Sequence, residues 1–284
     1  MKKLLVLLLA LVMIVGMIAC DHDQHAVDSP TEPPVTDAPI MEPPPVEAPS
    51  NEPTVNGEPV TMTYEEFLAA PLDSQVTVDT CIQDVEEWWE GQINLYTQND
   101  EGAYYIYGLT CTEEEAWGVL NPGAKIRVTG YKSEWAGEIE IIDATFVLLE
   151  SVNDANFVEC TDVTDLALQG NDALIEKMNH WVCFHGLTLI PSIDAAGNEV
   201  PYLYKWDGSG SQGDDIYFNV AIGEQTYTFT VNAYLVGSGP QSEVYKAVEV
   251  LQIGDILYVE GYLYWYNGAQ PHVTAVGVTP PTPD

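Results

Sequence analysis

Positive charge is nearly missing from this chain. Its 284 residues hold eight Lys and Arg against 44 Asp and Glu, a formal charge of −36, and neither Lys nor Arg occurs between Lys3 and Lys125. Affinity for a phosphate backbone comes from Lys and Arg, so this composition argues against nucleic acid as a partner. An anionic membrane surface or cell-wall polymer would be repelled as well. The simplest reason for the charge is a surface kept soluble by its acidity. Histidine and cysteine are scarce too, at five each. No paired C-x2-C marks a closed zinc site, and the scattered histidines single out no Ser-His-Asp or Cys-His arrangement. Among so many acids no carboxylate pair stands out at a definable spacing. The expectation is therefore a non-enzyme, with no catalytic residues, no cofactor and no metal.

What the chain does have is an internal repeat. Val119–Thr145, VLNPGAKIRVTGYKSEWAGEIEIIDAT, returns 131 positions later as Val250–Val276. Without a gap, Val119, Leu120, Gly123, Val128, Gly130, Tyr131, Gly137 and Ala144 meet Val250, Leu251, Gly254, Val259, Gly261, Tyr262, Gly268 and Ala275. Matches at one fixed offset signal a duplication. Glycines keep step where a turn or tight bend needs a residue without Cβ. Two domains follow, and sixteen Tyr with seven Trp suit short strands and turns more than a helical bundle.

Residues 1–20, MKKLLVLLLALVMIVGMIAC, combine a Lys-Lys start with a short apolar run. That is the pattern of a secretory signal, and the run is short for a spanning helix. Its ending, Met17-Ile18-Ala19-Cys20, resembles the lipobox of bacterial lipoproteins. The resemblance implies that Cys20 becomes lipid-modified and that the chain sits on the extracellular face of the bacterial plasma membrane, touching it through that lipid alone. Residues 21–60 are dominated by Pro and acids and lack apolar periodicity. They read as a disordered tether reaching on the order of 100 Å. His22 and His25 in this tail make no credible metal site.

The first domain is expected over 61–150. Thr63 with Glu66 forms a capping box for a short helix. Val76–Ile82, Ile93–Gln98 and Ala103–Leu109 read as strands, the last two joined by a Gly-containing turn at 99–102. Glu113–Leu120 reads as a helix, and Lys125–Thr129 and Glu138–Ile142 as two closing strands. Three strands, a helix and two strands is the order of the OB fold, a five-stranded Greek-key barrel. After a connector at 151–172, the second domain over 173–278 repeats it, with strands at Trp181–Ile190, Asp215–Ala221, Thr226–Val231, Ile256–Val259 and His272–Val276. Its helix falls at Ser242–Leu251, and residues 279–284 form a loose tail. The expected fold is thus all-β with short helices: two tandem OB-fold barrels behind a lipoprotein signal and a linker. The phrases EEWWEGQINLYTQNDEGAYYIYGL and KIRVTGYKSEWAGEIEIIDATF resemble OB-fold domains of cell-surface lipoproteins from Gram-positive gut anaerobes. That resemblance implies a fold and an address but no substrate.

OB barrels bind on the face of strands two and three, between the strand 1–2 and strand 4–5 loops. In the first repeat these loops hold Trp88, Trp89 and Trp135. In the second, an insertion at 191–214 holds Tyr202, Tyr204 and Trp206, facing Tyr264, Trp265 and Tyr266. Alternation predicts the three insertion rings on one side of an added strand. One aromatic groove per barrel is expected, suited to an oligosaccharide or a surface protein. A single-stranded nucleic-acid binder is the alternative, and a structural subunit of the cell surface with no small ligand is a third. Lys125, Arg127 and Lys132 cluster on one strand and are expected to pair with Glu134, Glu138 and Glu140. Cys81, Cys111, Cys160 and Cys183 allow three pairings, of which Cys81–Cys111 with Cys160–Cys183 is the most economical; unpaired thiols are the other outcome. Cys183 and His185 share a strand face but match no closed zinc spacing. Asp207, Asp214 and Asp215 lie in a Gly/Ser-rich loop that lacks an EF-hand frame.

Overall fold

A computed structural model describes residues 60–279 together with a short pairing of Thr54–Val55 with Glu58–Pro59. The signal segment, Cys20, His22, His25, nearly all of the linker and residues 280–284 lie outside the described residues. Thr63 starts the ordered barrel. Its Oγ1 accepts the Glu66 N–H while the Glu66 carboxylate accepts the Thr63 N–H at 2.8 Å, setting off helix α1 (Tyr64–Ala69). Strands β1 (Gln75–Val85), β2 (Gln92–Gln98) and β3 (Ala103–Thr110) follow, then α2 (Glu113–Gly118), β4 (Lys125–Trp135) and β5 (Glu138–Glu150). They close in the order β1-β2-β3-β5-β4, with β3 and β5 as the parallel pair. Val76, Val78, Ile82, Ile93, Leu95 and Ile106 fill the interior. Each such side chain contributes roughly 1.5–3 kcal/mol by leaving water.

The second barrel uses β7 (Trp181–Ile190), β9 (Ile216–Ile222), β10 (Gln225–Val231), α4 (Glu243–Glu249), β11 (Ile256–Tyr262) and β12 (His272–Val278). Pairing of β7 with both β9 and β11 closes it, and β10 and β12 form its parallel contact. Both units are OB-fold barrels, in tandem. Phe184, Phe218, Phe229 and Tyr245 sit fully buried in the second core.

Two expectations change. Part of the connector at 151–172 is woven into the second barrel: β6 (Thr161–Asp162) pairs parallel with β7, and α3 (Thr164–Gln169) follows it. Val163, Ala167 and Leu174 lie wholly inside the second core, so apolar burial decides where this segment belongs. The insertion contributes only a two-residue edge strand, β8 (Leu203–Tyr204), against β9. Its three rings do not share a side. Lys205 takes a left-handed φ of 60°, which breaks the alternation before Trp206. Tyr202 and Tyr204 pack on the second core, Tyr204 donating its hydroxyl to Glu249 at 2.6 Å, while Trp206 stands in solvent.

The repeated glycines mark where strands bend. Gly130 and Gly261 both sit at a register shift between the fourth and fifth strands of their barrels. A Cβ on Gly261 would overlap the His272 carbonyl oxygen, and one on Gly130 would come within 2.7 Å of the Ile142 oxygen. Gly261→Ala is therefore expected to cost about 1–3 kcal/mol as overpacking. A urea midpoint lowered at unchanged m-value is the reading to look for. An unchanged midpoint would mean the bulge tolerates a methyl group.

The barrels form one compact unit. A third buried cluster, Tyr96, Tyr105, Leu235 and Tyr262, lies where they meet. Tyr96 and Tyr262 stack at 4.3 Å with 10° between planes, and the Tyr96 hydroxyl is 2.7 Å from His272 Nδ1. Main chains are stitched as well: the Val236 N–H donates to Val85 and the Glu87 N–H to Tyr234, at 2.9 and 2.8 Å.

Candidate functional site

The repeated turns come face to face. Ala136, with φ of 51°, follows β4, and its carbonyl accepts the N–H of Asn267, whose φ is 54°, at 2.7 Å. Trp135 and its repeat counterpart Tyr266 consequently stand on the same opening. Between the barrels lies a groove of about 550 Å³. Tyr107 and Trp135 line it from the first barrel, and Trp206, Tyr217, Tyr264 and Tyr266 from the second. Trp135 and Trp206 are 62% and 70% exposed. So much apolar ring surface facing water at one place marks a contact site more than a fold requirement.

The floor is polar. Glu86, at the end of β1, accepts Asn94 Nδ2 on one oxygen at 2.8 Å, and Asn232 Nδ2 at 2.9 Å with the Tyr105 hydroxyl at 3.3 Å on the other. Burial pushes its carboxyl above the usual range, and the Asn94, Tyr105 and Asn232 donors pull it back. Burial also raises Asp215, whose carboxylate accepts the Ala233 N–H at 2.8 Å. His272, stacked on Tyr264 at 4.4 Å, is pushed down to about 3 by burial and stays neutral. Among the described residues no Lys or Arg lines the groove.

Of the rings expected at a site, Trp135, Trp206, Tyr264 and Tyr266 gather here. Tyr202 and Tyr204 do not. Trp88 and Trp89 line a neighbouring hollow of about 280 Å³ with Tyr234, which meets the main groove at Glu86, Asn94 and Tyr107. Trp88 is also structural: its Nε1 donates to the Cys111 carbonyl at 3.1 Å and it packs on the first core. One shared groove thus replaces the expected groove per barrel. The reason is that the second barrel, through Tyr262, covers part of the β2–β3 face of the first. Glu86, Asn94 and Asn232 carry no periodicity or motif that distinguishes them from other polar residues, and the sequence marks Asp215 only as an acid of the 207–215 loop.

Arg127 and Lys132 of the basic cluster are structural, with partners other than those expected. Arg127 Nε and Nη2 grip the Asp79 carboxylate at 2.7 and 2.9 Å. Lys132 Nζ donates to the carbonyls of Phe67, Leu68 and Ala70 at the end of α1. All four described cysteines are free thiols. A Cys81–Cys111 bridge does not fit, since Cys81 faces Gln98 at one end of β2 and Cys111 adjoins Gly91 at the other. Seven strand residues separate these ends by roughly 20 Å, whereas a disulfide needs Cα atoms within about 7 Å. Cys160 and Cys183 are neighbours. In the 207–215 loop the acids serve local turns, Asp207 accepting from Ser209 and Asp214 from Ser211, while Asp215 points to the groove.

No family model matches the chain, and no curated protein matches it in sequence. Among solved structures, a murine DNA-binding protein bound to double-stranded DNA aligns over 73% of this chain and 99% of its own, at 11% identity and a TM-score of 0.32. The p204 HINb domain aligns over 71% and 95%, at 11% identity and 0.29. The single-stranded DNA-binding protein of Thermus aquaticus aligns over 74% and 94%, at 14% identity and 0.25. At such values the likeness concerns architecture, which the strand order establishes by itself.

Proposed function

We propose that this chain is a non-catalytic binding module, held outside the plasma membrane by a lipid on Cys20, that takes a neutral oligosaccharide in the groove between its barrels. One observation carries the reading: exposed rings from both barrels surround a floor of carboxylates and amides without a basic side chain. Flat rings stack on the apolar faces of sugars. Glu86, Asp215, Asn94, Asn232 and Gln270 offer acceptors and donors for hydroxyls. The volume lies within the usual range of small-ligand sites.

A single-stranded nucleic-acid binder is the second reading. Solved neighbours include DNA-binding proteins, and rings of this kind also stack on bases. Against it, a phosphate entering this groove would meet Glu86 and Asp215 with no cation beside them. A glycan array run beside an oligonucleotide titration separates the two. Binding of a neutral glycan, weakened about tenfold (about 1.4 kcal/mol) by either Trp135→Ala or Trp206→Ala, is the expected result. Tight, salt-sensitive oligonucleotide binding would reverse the order, glycan binding untouched by both substitutions would move the site elsewhere, and silence in both assays would favour a protein partner or a structural role.

A further inference from the structure

Away from the groove, the outer face of the second barrel gathers a set of metal-ligand side chains. Along β7, Val182 and Phe184 point into the core, so Cys183 and His185 face outward. The parallel strand β6 sets Asp162 directly opposite Cys183. One ligand atom from each of Asp162, Cys183 and His185 lies within 4.8 Å of the others. His185 Nε2 is 3.8 Å from Asp162 Oδ2. The Cys160 thiol neighbours that of Cys183 and the Tyr258 hydroxyl, just outside this group of three.

We propose that Cys183, His185 and Asp162, joined on binding by the neighbouring Cys160 thiol, form a binding site for a thiophilic divalent cation of the zinc type. Two sulfurs, one imidazole and one carboxylate are the ligand types and the number that a tetrahedral zinc site uses. Neighbouring groups orient them. Thr164 donates its N–H and hydroxyl to Asp162 Oδ1, at 2.9 and 2.6 Å, which leaves Oδ2 turned towards His185. The same Thr164 oxygen accepts the His185 N–H at 2.9 Å, and the His185 ring rests on Tyr258 at 4.7 Å. Such outer contacts are what holds ligands in place at metal centres. The thiol proton leaves to solvent as the thiolate binds metal. Cys183 is buried while His185 and Asp162 reach solvent, so the site is open to an ion from outside.

The test uses the full chain, reduced and stripped of metal, titrated with Co²⁺ as the spectroscopic probe and then with Zn²⁺. A thiolate-to-cobalt charge-transfer band saturating at one equivalent and abolished by Zn²⁺ is expected. Cys160→Ser should roughly halve that band, and His185→Ala and Asp162→Asn, which alter exposed side chains and leave folding intact, should each weaken affinity at least tenfold. Absence of the band in the reduced wild-type chain would overturn the proposal, as would unchanged affinity in all three variants. So would a Cys160–Cys183 bridge, two hydrogens lighter by mass, in chain recovered from its own cell surface, because that bond consumes both sulfur ligands.

Discussion

Tyr262→Ala should destabilise the chain by about 3–5 kcal/mol, the range for removing a large buried ring, and should uncouple the two barrels. Tyr262 is only 5% exposed and lies flat on Tyr96, which is itself completely buried. Removing the ring leaves a cavity at the centre of the contact between barrels, bounded by Tyr96 and Tyr105. No polar group is released to repair it. Calorimetry should show one cooperative transition for the wild type and two separate ones for the variant. Binding of the glycan proposed for the groove should fall as well, although Tyr262 does not line it, because the two barrels supply opposite walls. The control is built into the repeat. Tyr131 occupies the same position in the first barrel but is 44% exposed, so Tyr131→Ala should cost no more than about 0.5 kcal/mol. Equal effects from the two substitutions would show that Tyr262 acts within its own barrel and not between barrels.

The second large effect concerns pH. Glu138 is completely buried where the barrels meet, and its Oε2 accepts the Trp265 N–H at 2.7 Å. Its Oε1 and Asn179 Oδ1 are both buried acceptors without a donor. Asn179 donates one of its two amide hydrogens to the Ile139 carbonyl at 3.1 Å. Burial pushes the Glu138 carboxyl up to about 8, against the opposing pull of Asn179 and the Trp265 backbone N–H. At neutral pH the group is therefore protonated, which gives the buried Oε1 a proton of its own to donate. The folded-state value lies above the ordinary value of 4.5, so the folded chain binds the extra proton. Stability from Glu138 is complete below pH 4.5 and is lost as pH rises through about 8. Asp84, raised by burial to about 7, acts in the same direction. A tenfold difference in proton affinity between the folded and unfolded chain corresponds to roughly 1.4 kcal/mol, so the loss amounts to several kcal/mol in order of magnitude. The melting temperature should accordingly be higher at pH 5 than at pH 8.5. Glu138→Gln keeps the shape, carries no charge at any pH and still accepts from the Trp265 backbone N–H. It should leave stability at pH 5 nearly unchanged and raise it at pH 8.5. A wild-type melting temperature that climbs with pH, or a Gln variant weaker than wild type at pH 8.5, would mean that the carboxylate is ionised in the fold.

The barrels were legible because their signals are local. The capping box at Thr63 reads within four residues, strand alternation reads at a spacing of two, and Gly130 and Gly261 recur because a strand bend forbids a Cβ. Four of the groove rings could also be found, since OB topology assigns loops to a binding face and Trp135, Trp206, Tyr264 and Tyr266 lie in those loops. Economy of sequence distance failed for Cys81 and Cys111, which a whole strand separates, and for Lys132, which reaches back to the end of α1. Both errors treated neighbours in the chain as neighbours in space.

Element type and strand order are set by periodicity, caps and turns, all written in short stretches of the chain. How one barrel lies on the other is set by contacts across more than a hundred residues: Tyr96 with Tyr262, Glu86 with Asn232, Ala136 with Asn267. None of these leaves a periodic trace, because each depends on which surfaces bury the most apolar area once both barrels exist. Packing of one barrel on the other merged two expected grooves into one with an acidic floor. The parallel register of β6 on β7 brought Asp162 to Cys183 and His185.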